Sequence, residues 1–229
     1  MENSYELDTL DVTNPAPRCP VVLLLDTSSS MAGAPIDELN KGLKQFLRET
    51  AADEAASRSV EVEVISLGTP VKVIVPFTVL DDLSLNQELL SAGGAMSMEE
   101  GVHLALRDLK ARRNMYHDNG IFFYRPLVIL MTACDLNDNS WRQAADELHS
   151  LSEHGEIQYI CTEIGDDADH DALRRIIPPQ SGPVEHRDVC FRQLFNVPGH
   201  EPVNVVSDQD TVRFHDIRDW EDLFLFSRK

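Results

Sequence analysis

Apolar residues fall into two kinds of run along this chain. Some are short and continuous, and others return every third or fourth position. The stretch Pro20 to Asp26 (PVVLLLD) is unbroken, too short for a helix, and ends in a carboxylate, the pattern of a strand buried on both faces. It reads as the central strand. Pro35 then opens a helix running to about Asp53, with Ile36, Leu39, Leu43, Phe46 and Leu47 on one face. Val60 to Leu67 (VEVEVISL) alternates apolar and acidic residues, as a strand exposed on one side does, and Val71 to Val75 follows across Gly68-Thr69-Pro70. These two predict a hairpin at a sheet edge. A helix is expected from Ser97 to about Arg113, with Val102, Leu106 and Leu109 on one side, and a second buried strand over Leu127 to Thr132. Trp141 to about His154 is helical in spacing and stops at Gly155, before a third interior strand over Ile157 to Ile164.

Further on the periodicity weakens. A short helix is expected at Asp169 to Ile177, closed by Pro178-Pro179, and Pro178 to Pro202 then reads as a long loop or irregular insertion. Val203 to Val206 predicts a last short strand and Asp216 to Phe226 a closing helix. Strands alternating with helices imply a doubly wound, mostly parallel α/β sheet flanked by helices, with one antiparallel edge hairpin. Residues 1–17 read as an extension and 18–229 as a single domain, since chains divide only beyond about 250 to 300 residues.

Charge narrows the function. The 20 basic and 39 acidic residues leave −19, with a pI near 4.6, so nucleic acid and anionic lipid surfaces are repelled. No window holds the roughly 18 apolar residues of a membrane helix, and the acidic start MENSYELDTL has neither the basic nor the apolar part of a secretory signal. A cytoplasmic protein is the expectation. The four cysteines, Cys19, Cys134, Cys161 and Cys190, are widely spaced and read as reduced thiols.

In a doubly wound sheet, ligands bind beyond the carboxyl ends of the strands. There the sequence reads Asp26-Thr27-Ser28-Ser29-Ser30, directly after the central strand. Strand, D-x-S-x-S and following helix (DTSSSMAGAPIDELNKGL) resemble the von Willebrand factor type A (VWA) family and its metal-adhesion motif. With the Gly93-Gly94 loop, the strand RPLVILMT and the helix WRQAADEL, the likeness runs over about residues 18 to 178 and is nearest to bacterial TerY-like proteins of the tellurium-resistance type. The resemblance implies that Asp26, Ser28 and Ser30 are Mg²⁺ ligands, with one position left for a partner's carboxylate. It also implies a non-catalytic protein-interaction module, an adaptor or scaffold in a bacterial stress or defence system. A turn with one carboxylate and two hydroxyls suits a hard cation that demands oxygen, but the same groups also serve to cap a loop.

The chain departs from the family in two places. Where the family has G-G-T-S, this sequence has Gly94-Ala95-Met96-Ser97, and a thioether is a poor Mg²⁺ ligand. Where the family has L-T-D-G, it has Met131-Thr132-Ala133-Cys134. Two of the family's five oxygens are therefore missing, with Ser97 and Asp135 as candidate substitutes and Asp138 a further carboxylate nearby. The expected cofactor is none, or weakly bound Mg²⁺, and the expected partner is a protein. A Mg²⁺-dependent adhesion site stays open as a second reading and a metal-dependent phosphohydrolase as a third.

Other chemistries find less support. A phosphatase with an aspartyl nucleophile needs a second carboxylate where Ser28 stands, and G-x-S-x-G, G-x-x-x-x-G-K-[ST] and G-x-G-x-x-G are all missing. His186 and Cys190, with His200 and Cys161, lack the second paired spacing of a zinc site. Arg112-Arg113 and Arg174-Arg175 read as favourable charges near helix ends.

Overall fold

A computed structural model describes residues 10–163 apart from 53, 81–89 and 133–140. The elements expected at 169–177, 203–206 and 216–226 and the insertion at 178–202 lie outside the described residues. Among the described residues five strands form one sheet: β1 (Cys19–Leu25), β2 (Val60–Ser66), β3 (Lys72–Val79), β4 (Leu127–Thr132) and β5 (Gln158–Glu163), in the spatial order β3-β2-β1-β4-β5. β1 runs parallel to β2 and β4 and β4 parallel to β5, while β2 and β3 are antiparallel. The mixed, mostly parallel sheet and the central place of β1 match the sequence reading.

Helices cover both faces: α1 (Ala34–Ala51), the short α2 (Glu54–Ser59), α3 (Met98–Asp118) and α4 (Trp141–Glu153). Because side chains alternate along a strand, β1 feeds two cores. Val22 and Leu24 pack with Val102, Ala105 and Leu109 of α3 and Ala144 and Leu148 of α4, whereas Leu23 and Leu25 pack with Leu39, Leu43, Phe46 and Leu47 of α1. Every β1 residue from Val22 to Leu25 is fully buried. Among the described residues no helix is long and apolar enough to cross a membrane.

Several boundaries differ from the sequence reading. β3 runs on through Pro76, which an edge strand tolerates because the missing N–H faces away from the ladder. α3 extends to Asp118 because Tyr116 is buried and stacks near Phe123, with ring centres 5.3 Å apart. α2 was not anticipated. Ile157–Ile164 was expected inside the sheet, yet β5 is the outermost strand on its side among the described residues.

The expectation that β2 exposes its acidic face is overturned. Glu61 is 0% and Glu63 2% exposed, because α3 lies over that face. Glu61 Oε1 sits 3.0 Å from Arg18 Nε, and its Oε2 accepts from Arg112 Nε at 2.7 Å and from the Tyr116 hydroxyl at 2.5 Å. Arg112 is thus no surface charge at a helix end but a fully buried cation, stacked against the rings of Phe77 and Tyr116. Burial opposes its charge, but the hydrogen bond and charge of Glu61 outweigh that and hold its pKa above the ordinary value. Arg18 spends its remaining donors on carbonyls of Asp11, Ala16 and Arg58, which ties the segment before β1 and the end of α2 to this cluster.

Removing one partner of a buried ion pair leaves the other charge uncompensated, so Glu61→Ala should lose about 3 to 5 kcal/mol of stability. Urea unfolding followed by circular dichroism measures this; a loss under about 1 kcal/mol, the range of an exposed pair, would show that the cluster is not desolvated.

Candidate functional site

The ends of β1, β2 and β4 converge on one turn. The Leu67 N–H donates to the Leu25 carbonyl and the Asp26 N–H to the Met131 carbonyl, both at 2.8 Å, so strand pairing continues to the first residue of the motif. The Asp26 side chain is then held inside, 0% exposed. Its Oδ1 accepts the Ser28 N–H at 2.8 Å and its Oδ2 the Thr132 hydroxyl at 3.0 Å. Ser28 and Ser30 place their Oγ atoms 2.8 Å apart, with Ser28 buried and Ser30 exposed. A single 3₁₀ turn, Ser29–Met31, anchors the motif by burying Met31.

The loop before α3 closes over this turn. The N–H and hydroxyl of Ser29 both donate to the Gly94 carbonyl at 2.9 Å, and the Gly93 N–H donates to the Thr27 carbonyl at 2.8 Å. The Thr27 hydroxyl oxygen accepts the Gly68 N–H at 2.9 Å. Thr69 gives its one hydroxyl proton to the Ala95 carbonyl at 2.8 Å, so at the 3.1 Å contact between Thr69 and Ser97 it is Ser97 that donates.

The structure therefore brings Asp26, Ser28 and Ser30 together as the sequence implied, and commits the Ser97 hydroxyl to Thr69. Asp135, Asp138, Ala133 and Cys134 lie outside the described residues. Thr132 belongs to the site but was not singled out as a side chain from sequence, although it stands at the threonine of the L-T-D-G pattern. Met96 is half-buried with its Sδ 3.5 Å from Thr132 Oγ1, and it packs on the core between β1 and α3. Cys161, weighed for zinc, is buried in that core.

A hard cation needs about six oxygens, preferably anionic. The described residues offer one carboxylate, with a hydrogen bond already on each oxygen, three hydroxyls, and a thioether beside them. No group of three or more His, Cys, Asp or Glu among the described residues could hold a metal ion. Among the described residues this donor set falls short of the oxygens a hard divalent cation takes, and it satisfies a hydrogen-bonded turn.

Gly68 sets how closely the loops approach, and Gly93 does not. A Cβ on Gly68 would lie 2.7 Å from Thr27 Oγ1 and 2.9 Å from the Gly93 carbonyl oxygen, whereas one on Gly93 would meet nothing within 4 Å. Gly68→Ala should therefore lower stability by about 1 to 3 kcal/mol through overpacking. Gly93→Ala should stay within about 0.5 kcal/mol of the parent. Thermal denaturation of the two variants side by side checks the contrast; equal effects would mean that the loops are not in contact.

Residues 21–125 match the von Willebrand factor type A domain. No curated protein sequence matches the chain. Among solved structures, the manganese-loaded TRAP protein of Plasmodium vivax superposes with a TM-score of 0.52 at 19% identity, covering 70% of this chain and 62% of that one. The chain thus spans less than two thirds of the TRAP chain. BatB from Bacteroides thetaiotaomicron gives a TM-score of 0.46 at 16% identity, with 69% and 85% covered. Proximal thread matrix protein 1 from the mussel byssus gives 0.47 at 20% identity, with 72% and 42% covered. With its strand order, its D-x-S-x-S turn and the match over residues 21–125, the chain has the von Willebrand factor type A fold and is similar over those residues to that family.

Proposed function

We propose that this VWA domain is a non-catalytic adaptor that binds a protein partner through the loops around Asp26, and that it does so without a tightly held metal ion. One observation carries the reading: both oxygens of the Asp26 carboxylate already accept hydrogen bonds, from Ser28 and Thr132, and the Met96 thioether lies against the same threonine. VWA domains are commonly interaction modules. Here Ser29, Ser30, Gly93, Gly94 and Ala95 leave the rim of the site exposed, so the surface remains available to a partner even where the ion does not bind. The TerY-like resemblance supports an adaptor in a bacterial stress or defence system, in the cytoplasm.

A second reading keeps the ion. The TRAP structure is manganese-loaded, and Asp26, Ser28 and Ser30 stand close enough together to contribute to such a site. In that reading Ser97 would turn away from Thr69, Asp135 would join, and a partner's carboxylate would complete the shell.

Isothermal titration decides between them. Mg²⁺ and Mn²⁺ should show no micromolar binding; a micromolar Kd abolished by Asp26→Ala would overturn the metal-free reading and make Ser97 and Asp135 the next residues to test. Without metal, Asp26→Ala should still cost about 1 to 3 kcal/mol, because it leaves the Ser28 and Thr132 donors unpaired. Unchanged stability would mean that the carboxylate is not part of the internal network. For partner binding, a photocrosslinking residue replacing Ser30 or Ala95 should capture protein in the native host, and one replacing Lys110 on the exposed side of α3 should not. The reverse pattern would move the interface off the strand ends.

A further inference from the structure

One face of α1 is built into the core, and Ile36, Asn40, Leu43 and Leu47 follow one another along it at intervals of three and four. One of the four is polar. Asn40 is 8% exposed, and a buried amide is costly unless it finds partners. It finds two in a single residue: Asn40 Nδ2 donates to the Leu90 carbonyl at 2.8 Å, and Asn40 Oδ1 accepts the Leu90 N–H at 3.0 Å. The amide thus meets the backbone of Leu90 with a donor and an acceptor together, as a neighbouring strand would. Leu90 lies in no strand or helix, yet it is doubly fixed, because its side chain is 5% exposed and packs in the same core as Leu39 and Leu43.

We propose that Asn40 is a positioning residue for partner recognition: by holding Leu90 it sets the exposed rim Gly93-Gly94-Ala95 in its binding position before a partner arrives. The proposal rests on the reading that this rim is where the partner binds. The loop is tied down at successive points along its length. Leu90 is held by α1, the Gly93 N–H and the Gly94 carbonyl by the serine turn, and the Ala95 carbonyl and the Ser97 N–H by Thr69 and the Leu67 carbonyl. Serine turn and α1 are continuous through Gly33, so the first two ties come from one stretch of chain and the last from the end of β2. Packing does not confine the rim between them, since a Cβ on Gly93 would meet nothing within 4 Å. Hydrogen bonds do, and Asn40 supplies the pair on the amino-terminal side.

Two substitutions separate this role from a general contribution to the core. Asn40→Leu keeps the volume and the helix but removes donor and acceptor, and two neutral hydrogen bonds of ordinary strength amount to about tenfold in the opening equilibrium of the loop. Asn40→Asp is nearly isosteric and acts by displacement. When ionised it turns an acceptor toward the Leu90 carbonyl, and when protonated it again offers one donor and one acceptor. The control is Thr50→Val, which removes a buried hydrogen bond of 2.9 Å to the Phe46 carbonyl inside α1 itself. It should weaken the helix without moving the rim.

The test is amide hydrogen exchange of the full chain, followed by NMR. In Asn40→Leu the Gly93 amide should exchange about tenfold faster than in the parent, while the Ser97 amide, tied to Leu67, and both amides of Thr50→Val keep their protection. Unchanged protection of Gly93 in folded Asn40→Leu would overturn the proposal. So would a Leu90 amide that exchanges freely in the parent, a result that needs no variant to fold. In Asn40→Asp the Gly93 and Gly94 amide shifts should move away from the parent's at neutral pH and return as the carboxyl is protonated; a merely structural residue would give no such rescue. Recognition is read with a photocrosslinking residue at Ser30, whose capture of protein in the native host should fall several-fold in Asn40→Asp and not in Thr50→Val. No capture by the parent would overturn the loop-face reading, whereas capture by the parent that Asn40→Asp leaves undiminished would overturn the role of Asn40 alone.

Discussion

The strand Cys19–Leu25 is paired along both edges and covered on both faces, and the rest of the domain is arranged around that constraint. A strand with no solvent face must be apolar throughout, because each unpaired buried polar group would cost about 1 to 3 kcal/mol. Its first polar side chain can come only where the neighbouring strands also end. That residue is Asp26, whose N–H still completes the ladder to Met131 while its carboxylate meets Thr132 at the end of the adjacent strand. The position of the site thus follows from the burial of the strand, and the serine turn is what allows the chain to leave a fully covered strand without orphaned groups.

This explains what could be read from the sequence. Continuous apolar runs marked β1 and β4, helical spacing marked α1 and α4, and the position of D-x-S-x-S after a buried strand located the site. Each of these signals is local, spanning at most about twenty residues. The buried glutamates gave a misleading local signal, because acidic and apolar residues alternate in the same way whether the acidic face meets water or a helix carrying cations. Arg112 and Tyr116, which decide the matter, lie 51 and 55 residues away from Glu61. Nothing in the spacing of Arg112-Arg113 distinguishes a buried guanidinium from an exposed one. Likewise the 3.5 Å contact between Met96 and Thr132 joins residues 36 apart and emerges only when the loop before α3 folds over the strand ends.

Met96 also shows how one side chain changes the chemistry of a site without disturbing its frame. A threonine at that place would offer a hydroxyl, whereas the methionine offers a soft, weakly accepting sulfur and a larger apolar volume. The frame does not depend on which is present, since Ser29, Thr27, Gly68 and Thr69 hold the loops together through backbone partners. A site of this kind can lose an oxygen ligand and keep the shape of its rim. The shape of the rim and the number of oxygens the turn offers are separable for that reason.

The two ends of the sheet handle polarity in opposite ways, and the difference bears on how the fold is specified. At the carboxyl ends, neutral donors surround one aspartate; at the amino ends, two guanidinium groups surround Glu61. A buried ion cluster is a poor source of net stability, because desolvation offsets most of the attraction. Its effect on register is larger. Slipping β2 by one residue would turn Glu61 and Glu63 toward α1, into the layer now filled by Val62, Val64, Leu43 and Phe46, where none of those residues can answer a charge. A misplaced Glu61 charge would cost several kcal/mol, against net stabilities of about 5 to 15 kcal/mol for whole domains. The glutamates that made β2 look like a solvent-facing strand are therefore what fixes its alignment beside β1, and with it the placement of Gly68 and Thr69 against the serine turn.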